Sequence, residues 1–276
     1  MPDDQLVLPE DDPNFKPDPN APLEEDFLRM RPASSPLYWR VELREQPGYT
    51  SNVDQVANGP GSLSNRLSLS GFLRYSLPSQ TQFMLRSQTF LFNYFNVAER
   101  DQFLAIPLSP TVSQWFWNQL NVYASYIPIF STSIGRNPNV QRLDHDALLG
   151  AAWYQPFEGG HYLFGGYQFD YLHADLDSYR NLGHLFFAGY RHRISNDLFG
   201  FADVHLQPRG YLNTPELLDE LRVGGGLSLQ WQVFNPWLIL EARSDYNQIV
   251  NFTSADRSAG IFSFGINLIS AIQSDS

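Results

Sequence analysis

The chain lacks cysteine altogether, and Lys16 is the only lysine among its 276 residues. Without thiols it can form neither disulfide bonds nor cysteine-ligated metal sites. With a single lysine and a net charge of −11, we expect neither a basic surface of the kind that binds nucleic acid nor a nucleic-acid partner. Charged residues are also scarce, at 17% of the chain, against about 25% in an average soluble domain.

Long apolar runs are missing as well. No stretch approaches the roughly 18 apolar residues that a membrane helix needs, and the mean hydropathy is −0.30. Aromatic residues are abundant instead, at 15% of the chain, with 21 Phe, 14 Tyr and 6 Trp. The length is sufficient for one large β domain or two small ones.

Alternation of apolar and polar residues runs along most of the chain. It is clearest over 222–233, where the odd positions are mostly apolar (Val223, Leu227, Leu229, Trp231, Val233). The even positions there are polar or glycine. A period of two predicts a strand with one apolar and one polar face.

Turn residues divide this pattern into twelve candidate strands. The predicted strands are 37–47, 62–76, 81–94, 114–126, 129–136, 145–156, 161–173, 182–194, 198–207, 219–233, 237–248 and 258–270. Tight turns with Pro, Gly, Asn or Asp are predicted at 77–80, 126–128, 157–160, 195–197 and 234–236. Most of these strands exceed the five or six residues typical of soluble proteins, whereas a tilted membrane strand needs about 9–11.

This rhythm of an even strand number, short turns and longer loops resembles Gram-negative outer-membrane β-barrels as a general class. The resemblance covers residues 37–270 and implies an all-β, antiparallel, up-and-down transmembrane barrel of about twelve strands in contact with outer-membrane lipid. It also implies that both termini are periplasmic. The first residues are acidic rather than basic and then apolar, so this interpretation requires an export signal that has been removed. A soluble β-sandwich stays open as the alternative fold.

In a membrane barrel the polar faces of the strands point into the lumen. The residues predicted to line it are Arg40, Glu42, Arg44, Arg66, Arg74, Asp203, His205, Glu220, Arg222, Glu241, Arg243 and Asp245. Acids and arginines are nearly balanced in this set. It can form either a self-neutralising network that fills a narrow interior or an aqueous pore whose arginines bind an anionic solute. Phe90 shares its parity with Arg86, which predicts that aromatic side chains partly close one end.

Tyrosine and tryptophan cluster near the predicted strand ends, where a membrane barrel carries its interface girdles. The candidates are Tyr38, Trp39, Trp115, Trp117, Trp153, Tyr154, Trp231, Trp237 and Tyr246. Ordinary aromatic packing in a core or at a turn is the alternative.

The first 35 residues differ from the rest of the chain. Residues 1–30 hold nine acids against Lys16 and Arg29, a net charge of −7, with little periodicity. We therefore expect two regions, a disordered acidic Pro-rich periplasmic tail over 1–35 and a β-barrel over 36–276. The tail is either a solvated linker or a docking peptide for a periplasmic partner.

Candidate catalytic and metal sites are weak. His192 and Ser195 lie at a predicted turn, and adjacent residues of Asp144-His145-Asp146 point to opposite faces of a strand. Gly224-Gly225-Gly226 is followed by no Lys-Ser/Thr pair, so it predicts strand curvature or close backbone approach rather than a phosphate loop. We expect no enzyme activity, no catalytic residue, no metal site and no cofactor.

The predicted function is that of a passive, porin-like channel, or of the membrane component of an export or uptake system. One alternative is a barrel with a closed lumen that serves as a structural anchor or assembly partner. A third is an outer-membrane lipid-modifying enzyme. The transported solute, a small molecule or a polymer, is not indicated by the sequence.

Overall fold

A computed structural model describes residues 36–51, 61–95, 103–133, 141–174, 180–212, 219–234, 237–252 and 259–273. These residues form twelve β-strands and one 3₁₀ turn, Glu158–Gly160. The strands are β1 (Leu37–Thr50), β2 (Ser62–Ser76), β3 (Thr81–Tyr94), β4 (Phe103–Phe116), β5 (Leu120–Ser133), β6 (Gln141–Pro156), β7 (Tyr162–His173), β8 (Asn181–Arg193), β9 (Leu198–Tyr211), β10 (Glu220–Phe234), β11 (Leu238–Asn251) and β12 (Ala259–Gln273).

The strands form a closed antiparallel barrel in which each strand pairs with its neighbours in sequence. Strand β1 closes the barrel by pairing with β12, in a register that runs from Arg40↔Gln273 to Thr50↔Ser263. Each of the twelve described strands is therefore hydrogen-bonded on both sides, and the sheet presents no edge to solvent or lipid. The predicted all-β, up-and-down, twelve-stranded barrel is confirmed.

The two ends of the barrel differ in the length of their connections. One end, called the turn end below, carries the five connections 77–80, 117–119, 157–161, 194–197 and 235–237, together with Leu37 and Gln273. The opposite loop end carries longer connections, from seven residues (134–140) to eleven (51–61). Because the number of strands is even, the chain enters and leaves the barrel at the same end.

The outer face of the barrel is apolar and exposed. Leu227 is 66% exposed, Val204 is 61% exposed, and Leu69 and Ile266 also face outward. The residues between them on the same strands, such as Ser228 and His205, are buried on the inner face. A soluble barrel would bury the apolar face, so this polarity is that of a barrel surrounded by lipid. Within the described residues, no helix is long and apolar enough to span a bilayer.

One predicted turn is wrong. The sequence places a turn at 126–128 between predicted strands 114–126 and 129–136, whereas in the structure β4 covers Phe103–Phe116 and β5 covers Leu120–Ser133 without a break. The actual turn lies at Trp117 and Asn118, which adopt positive φ angles of 54° and 56°.

Proline explains this error. Pro107, Pro110 and Pro128 are typical of loops, yet they lie inside β4 and β5. The β4–β5 ladder is interrupted between the pairs Pro107↔Ile129 and Thr111↔Ser125. Pro110 and Pro128 lie in that gap, and Pro107 lies in the gap of the β3–β4 ladder between Ser87↔Leu108 and Phe90↔Ala105. A proline in a gap of the ladder costs the sheet few hydrogen bonds.

Candidate functional site

All twelve residues predicted to line the lumen lie on the inner face and are buried or half-buried. The structure joins most of them into separate ion-paired groups rather than into a single ring. Three of these groups lie on β9–β11, on β9–β10 near the loop end, and on β1.

The group on β9–β11 is centred on Arg243. Its Nε donates to both carboxylate oxygens of Asp245, at 2.8 and 3.1 Å. Its Nη2 reaches across β10 and donates to Oδ1 of Asp203 on β9, at 2.9 Å. The Arg243 side chain is 7% exposed, against 15% for Asp203 and 23% for Asp245. The two carboxylates therefore keep access to water while they neutralise a buried guanidinium.

Glycine on β10 makes this crossing feasible. Gly226 lies between Asp203 and Asp245 in register, and a Cβ atom there would come within 2.7 Å of Nη2 of Arg243. Gly224 serves a second crossing, in which Nε2 of His205 lies 2.8 Å from Oδ1 of Asn247. The glycine run therefore leaves room for side chains from β9 and β11 to meet across β10.

The same arrangement recurs on two other strands. Gly150 on β6 lies between Tyr123 and Gln168 in register, and the Tyr123 hydroxyl donates to Oε1 of Gln168 at 2.9 Å. Gly183 on β8 lies between Asp170 and Arg209. An inward glycine thus lets polar side chains two strands apart interact over the surface of the sheet.

The group near the loop end combines Arg209 and Arg222 with Glu220. The Nη1 atom of Arg209 lies 3.7 Å from Oε1 of Glu220, and Nε of Arg222 donates to the same oxygen.

Farther round the barrel, Arg142 pairs with Asp144 in β6. Asp144 lies inside strand β6 and not in a loop. His145 beside it faces outward, and its Nδ1 lies 2.6 Å from the Tyr126 hydroxyl.

The group on β1 consists of two arginines that share one carboxylate. Arg40 Nε lies 2.8 Å from Oε2 of Glu42, and Arg44 Nη2 lies 3.1 Å from Oε1. On β2, the guanidinium of Arg66 lies 4.8 Å from the centroid of the Phe90 ring. Phe90 is buried on the inner face beside the arginines, as its shared parity with Arg86 indicates.

Charge is unequally distributed around the inner wall. Strands β1–β3 carry five inward arginines (Arg40, Arg44, Arg66, Arg74, Arg86) and one inward acid, Glu42, a net charge of +4. The described inward residues of β4, β5 and β12 carry no charge. Strands β6–β11 carry seven buried or half-buried acids (Asp144, Asp146, Asp170, Asp203, Glu220, Glu241, Asp245) and five arginines (Arg142, Arg191, Arg209, Arg222, Arg243), a net charge of −2. We call β1–β3 the arginine wall.

An aromatic cluster fills part of the interior near the turn end. It contains Trp115, Tyr123, Tyr154, Tyr162 and Phe164, all buried, with Ala152, and Phe187 packs against it. Trp115 and Tyr154 were predicted to lie in an interface girdle, and this is wrong because their side chains point inward. Tyr38 is also inward, since Arg74 lies 5.0 Å from its ring centroid.

The remaining girdle candidates, Trp39, Trp117, Trp153, Trp231, Trp237 and Tyr246, are exposed on the outside. The five exposed tryptophans all lie in the last few residues of strands at the turn end, or in its connections. This is the position of an aromatic belt at a bilayer interface. With the correct bounds of β4, the sequence would have predicted an inward Trp115, because Trp115 has the same parity as the inward Ser113.

The histidine and serine considered for catalysis do not form a triad in the described residues. His192 stacks on His161, with ring centroids 4.6 Å apart. Ser195 contributes its carbonyl oxygen to Arg193 Nε, at 3.3 Å. No group of three or more His, Cys, Asp or Glu side chains suited to a metal ion occurs within the described ranges.

A closed barrel with an apolar outer face, a polar inner face and an aromatic belt has the architecture of outer-membrane β-barrel proteins. Comparison with solved structures gives the same class. An outer membrane channel from Pseudomonas putida F1 matches with a TM-score of 0.57 and 8% identity, over 86% of this chain and 95% of that chain.

Two further structures are similar. The NanC porin matches with a TM-score of 0.52 and 11% identity, over 83% of this chain and 98% of that chain. The translocator domain of the autotransporter NalP from Neisseria meningitidis matches with a TM-score of 0.51 and 12% identity, over 90% and 92%. No protein-family model and no curated protein matches the sequence. At these identities the likeness is one of fold.

Proposed function

We propose that the protein is a passive channel of the outer membrane for small hydrophilic solutes, with both termini on the periplasmic side. The observation that carries the proposal is the inner face, where charged side chains such as Arg44, Asp203 and Asp245 are paired yet keep contact with water. Paired charges line a path without holding a solute tightly, which suits passage rather than storage.

The arginine wall gives the proposed channel a preference for anions. A net charge of +4 on three adjacent strands attracts anions along one side of the lumen. The less charged acidic side, at −2 over six strands, opposes this only in part. Small inorganic and organic anions are therefore the solutes we expect to pass most readily.

Planar-bilayer recordings of the full chain test the channel. We expect discrete conductance steps and a reversal potential that favours chloride over potassium in a salt gradient. Arg44→Gln removes one charge from the arginine wall and should shift the reversal potential toward cation passage. Arg193→Gln removes the same charge from an exposed position at the turn end, where Arg193 Nη2 donates to Asn196, and should leave selectivity unchanged.

A second candidate function is a barrel with a closed lumen that anchors a partner. The aromatic cluster around Trp115 supports it, because bulky side chains near the turn end narrow the interior. A folded chain in bilayers with no conductance, and no swelling of sugar-loaded proteoliposomes, would favour the anchor and reject the channel. If the protein is an anchor of this kind, a pull-down with residues 1–35 should recover a periplasmic partner.

A further inference from the structure

We propose that Arg191, on the inward face of β8, is a binding site for the carboxylate of small organic anions that enter the lumen. The inference deepens the proposed function and rests on it for the access of the solute through the lumen. Arg191 lies near the turn end, two residues before β8 ends at Arg193. In a closed barrel of twelve strands, β8 is opposite β2, so this site is separate from the arginine wall.

The lack of an acidic partner distinguishes Arg191 from the ion-paired arginines of the inner wall. Within the described residues, Arg191 forms no ion pair and donates no hydrogen bond, and its Nε atom is buried without a partner. Six other inward arginines lie within 3.7 Å of a carboxylate oxygen, namely Arg40, Arg44, Arg142, Arg209, Arg222 and Arg243. A partly buried charge without a partner is unfavourable, so an anion from outside the chain would stabilise this one.

Three aromatic rings surround the guanidinium of Arg191 in place of an acid. Its Cζ lies 3.8 Å from the ring centroid of Phe199, 5.3 Å from that of Phe201 and 5.4 Å from that of Tyr162. Tyr162 and Phe201 are the partners of Arg191 in register on the two neighbouring strands. An aromatic ring attracts the face of a guanidinium, whereas the N–H groups donate in its plane. The rings therefore position the guanidinium without using its donors.

Arg191 also keeps contact with the lumen. Its side chain is half-buried as a whole although Nε is covered, so a carboxylate would bind end-on to Nη1 and Nη2. These paired donors match the two oxygens of a carboxylate. An inward acid lies two positions away, since Asp203 pairs with Gly189. Asp203 is neutralised by Arg243 at 2.9 Å, so it repels an incoming anion less than an unpaired carboxylate would.

The surroundings of Arg191 favour an anion with an apolar body. Tyr162 also belongs to the aromatic cluster around Trp115. Its ring centroid lies 5.0 Å from that of Tyr154 and 6.1 Å from that of Phe164. An aryl carboxylate can place its charge on Arg191 and its ring against these side chains, which an inorganic anion cannot do. Aromatic carboxylates should therefore bind more tightly than chloride or acetate.

Equilibrium dialysis of the full chain in detergent micelles tests the site, with radiolabelled benzoate as the probe. Arg191→Gln removes the charge and the paired donors, and should weaken benzoate binding by about tenfold or more, because one charge-assisted contact is lost. Arg193→Gln is the matched control, since it removes the same charge two positions along the strand. Arg193 already donates to Ser195 and Asn196, so this variant should bind benzoate within about twofold of the native chain.

Two further probes separate the contribution of the charge from that of the ring. Acetate carries the charge without a ring and should bind several-fold more weakly than benzoate. Benzyl alcohol carries the ring without the charge, and its binding should not differ between the native chain and Arg191→Gln. Acetate that binds as tightly as benzoate would overturn the assigned class of ligand.

Three results would overturn the site itself. The first is no saturable binding of benzoate by the native chain. The second is equal binding by the native chain and Arg191→Gln, which would assign the benzoate to the micelle or to another part of the protein. The third is an equal loss in Arg193→Gln, which would show that the general charge of the turn end attracts the anion.

Heat-dependent gel migration checks that each variant is folded. If Arg191→Gln does not fold, Arg191→Lys takes its place, because lysine keeps the charge but lacks the planar pair of donors. Benzoate binding should then fall several-fold, and unchanged binding by Arg191→Lys would be the overturning result.

Conductance separates this proposal from the proposed function. If both hold, benzoate should reduce the chloride current of the native chain in planar bilayers, and should reduce it far less in Arg191→Gln. Benzoate binding that depends on Arg191, in a barrel that never conducts, would retain the site and reject the channel. A chloride conductance without benzoate binding would retain the channel and reject the site.

Discussion

At the scale of single residues, inward glycines decide which polar side chains meet. Arg243 reaches Asp203 only because Gly226, on the strand between them, has no side chain. His205 and Asn247 meet over Gly224 for the same reason. The inner wall of this barrel is thus organised by contacts between strands that are not neighbours.

The first prediction concerns Gly226→Ala. The added Cβ would come within 2.7 Å of Nη2 of Arg243 and closer still to Oδ1 of Asp245, so the guanidinium or the carboxylate must shift and their contact is weakened. We expect the free energy of unfolding to fall by about 1–3 kcal/mol, measured by urea unfolding in lipid vesicles.

Gly71→Ala is the matched control, because a Cβ there meets nothing within 4 Å. It should leave stability unchanged or raise it by about 0.5–1 kcal/mol, since alanine loses less backbone entropy on folding. Equal unfolding midpoints for the two variants would show that the contact over Gly226 does not matter for stability.

At the scale of strands, the alternating pattern predicted ten of the twelve strands to within a few residues. The two failures, β4 and β5, carry proline residues that each lie in a gap of the ladder to a neighbouring strand. That gap depends on the pairing of two strands, which no local pattern contains. A turn with Trp117 at positive φ was equally hidden, because tryptophan has no preference for that conformation.

Parity identified the inward charged residues, but not their partners. The inward position of Arg243 follows from alternation with Ala242 and Ser244. The hydrogen bond from Arg243 to Asp203 depends on the register of β9, β10 and β11. That register is determined jointly by the lengths of the turns at both ends of the strands. The concentration of arginine on β1–β3 could have been counted from the sequence, because those three strands were correctly bounded.

The second prediction concerns the segment before β1. Among the described residues, the pairing of β1 with β12 closes the barrel, and we therefore expect the barrel to form without residues 1–35. A chain that begins at residue 36 should still fold in detergent, with the circular dichroism of a β-sheet and resistance to protease. Failure of this shorter chain to fold, alongside a native chain that does, would make the segment part of the folded structure.

At the scale of the whole molecule, the apolar outer surface indicates that lipid rather than water surrounds the barrel. Large apolar side chains such as Leu227, Val204 and Ile266 cover the barrel in all directions. Their area exceeds the few hundred Å² that a soluble monomer leaves exposed in one patch.

The third prediction follows from this surface. The purified chain should need detergent to remain monodisperse, and unboiled samples should migrate differently from boiled ones in gels, because a closed barrel resists unfolding by detergent alone. Light scattering and gel migration with and without heating are the measurements. A monodisperse monomer in plain buffer would contradict a lipid-facing surface.

The aromatic belt has a consequence for how the molecule can be observed. All six tryptophans lie at one end of the barrel, five of them outside and Trp115 inside. Intrinsic fluorescence therefore reports on a single depth in the bilayer. Vesicles with brominated lipid in only one leaflet would quench the emission when that leaflet surrounds the turn end, and hardly at all otherwise. The native tryptophan fluorescence therefore reports in which direction the barrel is inserted, without any added label.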